Sequence, residues 1–194
     1  MIILYIAFAV ESGKIFTYHL GKVKVIMFHW FGLWKALVVS FLLKIDGTLE
    51  VAEQCFKQNK DSWMDACVNR AYYGLFWLAL EVLSKRGSYI QLVEKVLRSG
   101  VKDFRTANIL RKDLKEMKEG RHKYPGHGTV RVLLWSLRDG ESDWKTLAKA
   151  LSELWDSRVK ADYRPEFCTK QEARKCLKRC KEQYQKWRKS LANS

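Results

Sequence analysis

The sequence predicts an all-α protein built as a helical bundle, and three observations favour this fold class. The chain of 194 residues holds only two prolines, and proline interrupts helices. Long stretches rich in Leu, Lys, Glu and Ala are typical of helices. Several segments repeat apolar residues at the three- and four-residue spacing of one helix face. Hydrophobic residues make up 47% of the chain, which is enough to bury a core.

Residues 1–42 form a predicted apolar extension ahead of the bundle. The extension opens without the basic start of a secretory signal. A second apolar run, Val25–Leu43, is nearly long enough to span a bilayer, but Lys35 near its centre would cost about 3 kcal/mol on insertion. We therefore expect a helix packed against the rest of the protein. A membrane-tethered helix and a natural start at Met27 stay open as alternatives.

The predicted central helix begins after a polar break at residues 59–62 and runs to about Arg86. Its middle is apolar on nearly all sides, which predicts a helix surrounded by others. Arg70, Tyr72 and Tyr73 stand near its start. Polar side chains at the start of an otherwise apolar helix indicate that a functional site lies at that end of the bundle.

Residues 88–126 form a predicted basic helical insertion, with two short helices and then a Pro-Gly loop. Gly100 and Gly120 are expected to end the two helices. Between Lys85 and Arg138 the chain holds 14 Lys or Arg against 5 Asp or Glu. Such a charge excess fits a solvated surface or a face that meets nucleic acid, and both interpretations stay open.

Two long helices follow a shorter one and complete the predicted bundle of residues 43–192. The first of the two begins at Ser142 and ends before Pro165, because the residue before proline avoids the helical region. The last begins at a T-x-x-E capping box, Thr169 to Glu172. Its apolar residues form one narrow seam, and its other faces carry nine Lys or Arg against two Glu.

The whole chain is strongly basic, with 36 Lys or Arg, 21 Asp or Glu and a net charge of +15. The acidic partners that suit such a charge are nucleic acid and anionic lipid. Nucleic acid is favoured here because the positive charge runs along most of the chain. Five cysteines without a C-x-x-C pair predict neither a disulfide framework nor a zinc site, so we expect a cytoplasmic protein without cofactor.

The sequence contains the motifs "NRAYYGLFW" and "SRVKADY" in that order. A predicted basic helix, "RKCLKRCKEQYQKW", follows them. This arrangement resembles the HEPN family, in particular its small prokaryotic branch with R-A-Y-Y and R-x-x-A-D-Y motifs. The resemblance covers about residues 43–191. It implies an up-and-down helical bundle that often dimerises.

The resemblance also implies a set of functions and partners. Family members include metal-independent ribonucleases of toxin–antitoxin, phage-defence and CRISPR systems. Others only bind RNA or nucleotides, or pair with a nucleotidyltransferase antitoxin. The nuclease signature is an arginine followed after four to six residues by a histidine.

This chain departs from the nuclease signature, because Tyr163 stands where the histidine is expected after Arg158. A phenol is a poor base at neutral pH. The candidate catalytic residues are therefore Arg158, Asp162 and Tyr163. The candidate nucleic-acid-binding residues are Arg70, Tyr73, His127, Arg174, Lys178 and Lys181. His127 begins a helix and is expected to reach the polar cluster.

Three functional hypotheses follow. The first is an RNA-binding, non-catalytic or scaffolding subunit of a prokaryotic defence system. The second is a metal-independent ribonuclease toxin. The third is a membrane-tethered helical protein using residues 25–43. Expected partners are RNA or another nucleic acid, a second copy of the chain, a larger defence complex or a nucleotidyltransferase antitoxin.

Overall fold

The computed structural model describes residues 17–20, 23–26, 32–137, 142–163 and 166–192. Within them the chain forms two strands, followed by seven helices. These are β1 Thr17–Leu20, β2 Val23–Ile26, α1 Gly32–Lys57, α2 Asp61–Ser84, α3 Tyr89–Arg98, α4 Phe104–Lys118, α5 His127–Ser136, α6 Ser142–Tyr163 and α7 Lys170–Ala192. The chain divides into two compact units, Met1–Ser40 and Phe41–Ser194.

In the first unit, β1 and β2 pair as antiparallel strands. The prediction of a helix over Val25–Leu43 is therefore wrong at its start. Val25 and Ile26 lie in β2, and α1 begins only at Gly32. The β-branched side chains of this segment favour an extended backbone, and a short apolar run does not by itself distinguish a strand from a helix.

The continuous helix α1 crosses the predicted domain boundary at residue 42. The second compact unit begins at Phe41. The ring centroid of Phe41 lies 5.9 Å from that of Trp77 and 5.4 Å from that of Tyr124. The predicted domain boundaries themselves stay a prediction. Among the described helices, none has the length and apolar character needed to cross a bilayer.

Helix α2 is the centre of the second unit, as the sequence predicted. It packs against α5, α6 and α7, and most of its residues from Ala71 to Leu83 are buried. Gly74 allows close packing on two sides. A Cβ at this position would lie 3.3 Å from Cys180 Sγ and 3.7 Å from Leu49 Cγ. The predicted all-helical bundle is thus confirmed in the described part of this unit.

The basic segment of residues 88–126 contains the two predicted short helices, α3 and α4. Both helices end near a glycine in the left-handed region, since Gly100 has a φ of +86° and Gly120 a φ of +71°. A side chain would be strained at either φ, which is why glycine ends these helices. Helices α3 and α4 pack on each other and on α5, so the segment belongs to the same bundle.

The last helix, α7, begins with the predicted capping box. The hydroxyl of Thr169 accepts from the Glu172 backbone N–H at 3.2 Å, and the Glu172 carboxylate accepts from the Thr169 N–H at 2.7 Å. Hydrogen bonds from Lys160 and Thr169 lower the pKa of Glu172 to about 2. The predicted seam is confirmed. It consists of the buried residues Ala173, Leu177, Cys180, Tyr184, Trp187 and Leu191.

All five cysteines are free and buried. Burial raises the pKa of Cys67 and of Cys168 to about 12. These thiols therefore stay protonated at neutral pH and pack as small apolar side chains.

Removing the capping box should destabilise the fold by a predictable amount. Thr169→Ala deletes the side-chain acceptor at the start of α7, so we expect the free energy of unfolding to fall by about 1 kcal/mol. Urea denaturation of the full chain measures this change. Ser190→Ala, at an exposed position in the last turn of the same helix, is the matched control and should be nearly neutral. Equal effects of the two substitutions would contradict the prediction.

Candidate functional site

The candidate site lies where the first half of α2 meets α5 and α6. Its centre is an aromatic cluster, which we define as Tyr72, Tyr73, Phe76, His127 and Trp155. Ring centroids in the cluster lie 4.2 Å apart for Phe76 and His127, and 5.6 Å apart for Tyr72 and Trp155. Tyr72 is fully buried, whereas Tyr73, His127 and Trp155 keep partial exposure. The cluster is thus core on one side and open to solvent on the other.

Arg158 on α6 lies over this cluster. Its guanidinium carbon is 5.2 Å from the ring centroid of Tyr73 and 5.3 Å from those of Tyr72 and Trp155. Its side chain is only 17% exposed. A cation this close to three π-faces gains an attraction that increases as water is removed. The aromatic side chains therefore fix where the charge of Arg158 lies.

Asp162, one helical turn after Arg158 on α6, holds the Arg158 side chain in place. Asp162 Oδ2 accepts from Arg158 Nε at 3.0 Å, and Asp162 Oδ1 accepts from Asn69 Nδ2 at 2.8 Å. Asp162 thereby connects the end of α6 to the start of α2. Both hydrogen bonds involve an ionised group, so they are stronger than hydrogen bonds between neutral partners.

His127 is the first residue of α5 and reaches into the aromatic cluster. Its Nδ1 forms a hydrogen bond of 2.7 Å with the hydroxyl of Tyr72. Burial, together with the nearby positive charge of Arg158, lowers the pKa of His127 to about 4. Burial raises the pKa of Tyr72, against the opposing charges of Arg158 and Arg131. Both side chains are therefore neutral at pH 7.

The structure brings four of the sequence-predicted residues together: Tyr73, His127, Arg158 and Asp162. Arg70 is exposed, and it is the adjacent Asn69 that contacts Asp162. Tyr163 is 79% exposed, beyond the last contact of α6 with the cluster. The histidine in the cluster is His127, which comes from α5 and contacts Tyr72 and Trp155.

The three basic candidates on α7 lie on a second surface, where α7 packs on α1. Lys181 Nζ is 2.6 Å from Glu53 of α1. The guanidinium of Arg174 lies 5.7 Å from the ring centroid of Phe56. Lys178 extends into solvent, with its Nζ 3.9 Å from Glu182 of the same helix. Their roles in nucleic-acid binding stay a prediction.

Sequence reasoning did not single out Asn69, Trp155 or Arg131. Arg131 lies on α5 with its guanidinium carbon 5.4 Å from the ring centroid of Trp155. One signal was available for Arg131, since it follows His127 by four residues and so occupies the same helix face. No comparable signal existed for Asn69, because only the packed structure shows which residue at the head of α2 faces α6.

Metal ligation is not favoured by the geometry of the described residues. Within that part of the chain, no group of three or more His, Cys, Asp or Glu side chains is placed to hold a metal ion. The positive groups that dominate the candidate site are arginines, which suit anions.

Part of the chain is similar to a known protein family. Residues 104–189 match the family model described as HEPN domain. No curated protein and no solved structure matches the chain. The matched range runs from the start of α4 through most of α7. It contains His127, Arg131, Trp155 and Arg158, but not the tyrosines of α2.

The pKa of His127 predicts a specific acid sensitivity. The unfolded chain protonates this histidine near pH 6.5 and the folded protein only near pH 4, so the unfolded state binds more protons between these values. The contribution of neutral His127 to the free energy of unfolding is therefore fully present above pH 6.5, and it is lost as the pH falls towards 4. We expect a loss of roughly 2 kcal/mol, allowing for the partial exposure of the ring.

Urea denaturation across this pH range measures the loss. His127→Gln keeps a polar partner for Tyr72 and cannot titrate, so it should remove this component of the pH dependence. His122→Gln is the control, because His122 is exposed and lies outside the aromatic cluster, with its Nε2 3.4 Å from Glu116. A pH dependence that is unchanged in His127→Gln would contradict the assignment.

Proposed function

We propose that this protein, whose residues 104–189 match the HEPN domain model, binds RNA as a non-catalytic or scaffolding subunit of a prokaryotic defence system of the CRISPR or toxin–antitoxin type. HEPN domains are commonly RNA-related nucleases, defence proteins or toxins. The observation that carries the proposal is the distribution of charge on α7. One face of α7 is buried as an apolar seam, and the rest carries nine basic and two acidic residues.

The neighbours of α7 neutralise only part of this charge. Three of its cations pair with carboxylates of other helices: Arg179 with Glu153 at 3.5 Å, Lys181 with Glu53 at 2.6 Å, and Lys186 with Asp143 at 2.7 Å. All three lie beyond the first two turns of the helix. The cations of those first turns, Lys170, Arg174 and Lys175, form no ion pair with a described residue and stay available for an external partner.

The basic stripe, defined as Lys170, Arg174 and Lys178, is our proposed RNA-binding surface. Its members follow one another at four-residue spacing, so they share one face of α7, and all are exposed. Lys170 and Arg174 lie 5.9 and 5.7 Å from the ring centroid of Phe56. A row of cations beside an aromatic ring suits a single-stranded backbone, which offers phosphates and bases to stack.

The geometry around Arg158 favours binding without cleavage. Its Nε donates to Asp162 and its guanidinium is packed among three rings. Tyr163, which stands where the family resemblance implies a histidine, is exposed to solvent, and a phenol is a poor base at neutral pH. These features favour a cluster that fixes α6 against α2.

A metal-independent ribonuclease is the second candidate, and one observation favours it. His127 and Arg158 pack against the same two tyrosines: the His127 ring is 5.4 Å from Tyr72 and 5.7 Å from Tyr73. The two residue types of the nuclease signature are thus close together, although on different helices. A neutral imidazole is able to accept a proton from a ribose 2′-hydroxyl.

The proposal extends to protein partners. Val159 and Tyr163 lie one turn apart on α6 and are exposed, as is Phe167 just beyond it. Exposed apolar side chains grouped in this way favour contact with another protein. A second copy of the chain, a larger defence complex and a nucleotidyltransferase antitoxin are the partners that we propose.

Charge removal on the basic stripe should weaken RNA binding. For Lys170→Gln/Arg174→Gln we expect an affinity for single-stranded RNA about tenfold lower than wild type, and a salt dependence smaller by roughly 1.4 in the slope of log affinity against log salt. Fluorescence anisotropy at several salt concentrations measures both. The control Arg179→Gln/Lys186→Gln removes the same charge from cations that are already paired, and it should bind nearly as wild type does. Equal losses in the two variants would show that net charge alone matters and would overturn the proposed surface.

The same protein distinguishes the two candidate functions. Incubation with total RNA in EDTA should leave the RNA intact if the protein only binds. Cleavage by wild type that disappears in both Arg158→Ala and His127→Gln would instead support the ribonuclease. Cleavage that survives in both variants would exclude this cluster as its active site.

A further inference from the structure

Arg131 carries a charge that the described part of the protein leaves without a partner. It forms no hydrogen bond or ion pair with any described residue, and its Nε is buried without an acceptor. Its one contact of note is with the indole of Trp155, at 5.4 Å from the ring centroid. A buried donor that lacks an acceptor costs free energy, so a partner for this group would be stabilising.

Arg131 and Arg158 come from different helices and converge on the same ring. Arg131 lies one turn after His127 on α5, and Arg158 lies one turn after Trp155 on α6. Both guanidinium carbons lie close to the Trp155 centroid, at 5.4 and 5.3 Å. Both also act on the same hydroxyl, since each of their charges lowers the pKa of Tyr72 against the effect of burial.

The charges in this part of the site do not balance. Two guanidinium groups are accompanied by a single carboxylate, Asp162, and that carboxylate pairs with Arg158 and not with Arg131. His127 is neutral at pH 7 because of its lowered pKa. One positive charge is therefore uncompensated among the described side chains. The residues that surround it are partly exposed, so an anion from solvent is able to reach it.

We propose that Arg131 and Arg158 together form a binding site for a phosphate group beside the indole of Trp155. Arginine carries five N–H donors in a planar fork. Asp162 accepts from Arg158 Nε, and the Tyr72 hydroxyl also interacts with the Arg158 guanidinium. The remaining donors of Arg158 and the terminal nitrogens of Arg131, whose Nε is buried, are left for a ligand. A phosphate group offers several oxygens in a tetrahedral arrangement, so it accepts from two forks at once. A planar carboxylate serves one fork better than two.

Two sources would supply this phosphate: the backbone of a bound RNA, or a free phosphate or nucleotide. The RNA source rests on the proposed function, whereas the free source does not. The basic stripe lies on α7 and this site lies between α5 and α6, so the two surfaces are separable by mutation.

Binding by the purified full chain tests the proposal. Isothermal titration with inorganic phosphate, with adenosine 5′-monophosphate and with a short single-stranded RNA should each be compared for wild type and Arg131→Gln. We expect Arg131→Gln to bind at least one of these ligands about tenfold more weakly, as the loss of a charge-assisted fork implies. Arg86→Gln is the matched control, because Arg86 also lies over a tryptophan, Trp144, at 5.0 Å. It should leave binding unchanged.

The outcomes separate the two sources and the two proposals. Weaker binding of phosphate or the mononucleotide by Arg131→Gln identifies a free ligand, even if no RNA binds at all. Weaker binding of RNA alone identifies a backbone phosphate. Wild-type binding of all three by Arg131→Gln, or no binding of any by wild type, overturns the site while the basic stripe is judged on its own variants. A melting temperature that falls in ligand-free Arg131→Gln, with binding unchanged, would show that Arg131 serves stability only.

Discussion

Burial of α2 is the constraint on which the rest of the bundle depends. A helix surrounded by α5, α6 and α7 offers almost no face to solvent, so its side chains must be apolar or find partners inside the protein. Asn69, Tyr72 and Tyr73 find theirs at the end nearest α5 and α6. The polar head of α2 thus fixes both helices that carry the functional groups.

Two kinds of positive charge result from this packing. The cations of the basic stripe on α7 are exposed to water, where their interactions are weak and are screened by salt. Between α5 and α6 the two guanidinium groups lie against aromatic rings, where water is partly excluded and each contact counts for more. The first kind suits a long polyanion that binds at many points. The second suits a single anionic group held at one point.

Features set by neighbouring residues could be predicted from the sequence, and those set by packing could not. The capping box at Thr169 and Glu172, the glycine ends of α3 and α4 and the apolar seam of α7 depend on spacing within one helix. The choice of Asn69 over Arg70 as the partner of Asp162 depends on the rotation of α2 against α6, which spacing does not specify. The strand pairing of Val23–Ile26 was missed because its partner strand gave no periodic signal. The exposed Tyr163 shows the same limit, because its distance from Arg158 in sequence did not place it in the cluster.

The family match and the site do not share the same boundaries, and this bears on how the site works. The matched residues 104–189 supply His127, Arg131, Trp155 and Arg158. The groups that hold them in place are outside the match: the Tyr72 hydroxyl bound to His127, and the Asn69 amide bound to Asp162. A segment limited to residues 104–189 would lose these two contacts. It would also lose α2, the helix against which the apolar faces of α5, α6 and α7 pack. The arrangement of two arginines and a neutral histidine is therefore a property of the whole bundle, because residues of α2 hold both His127 of α5 and Asp162 of α6.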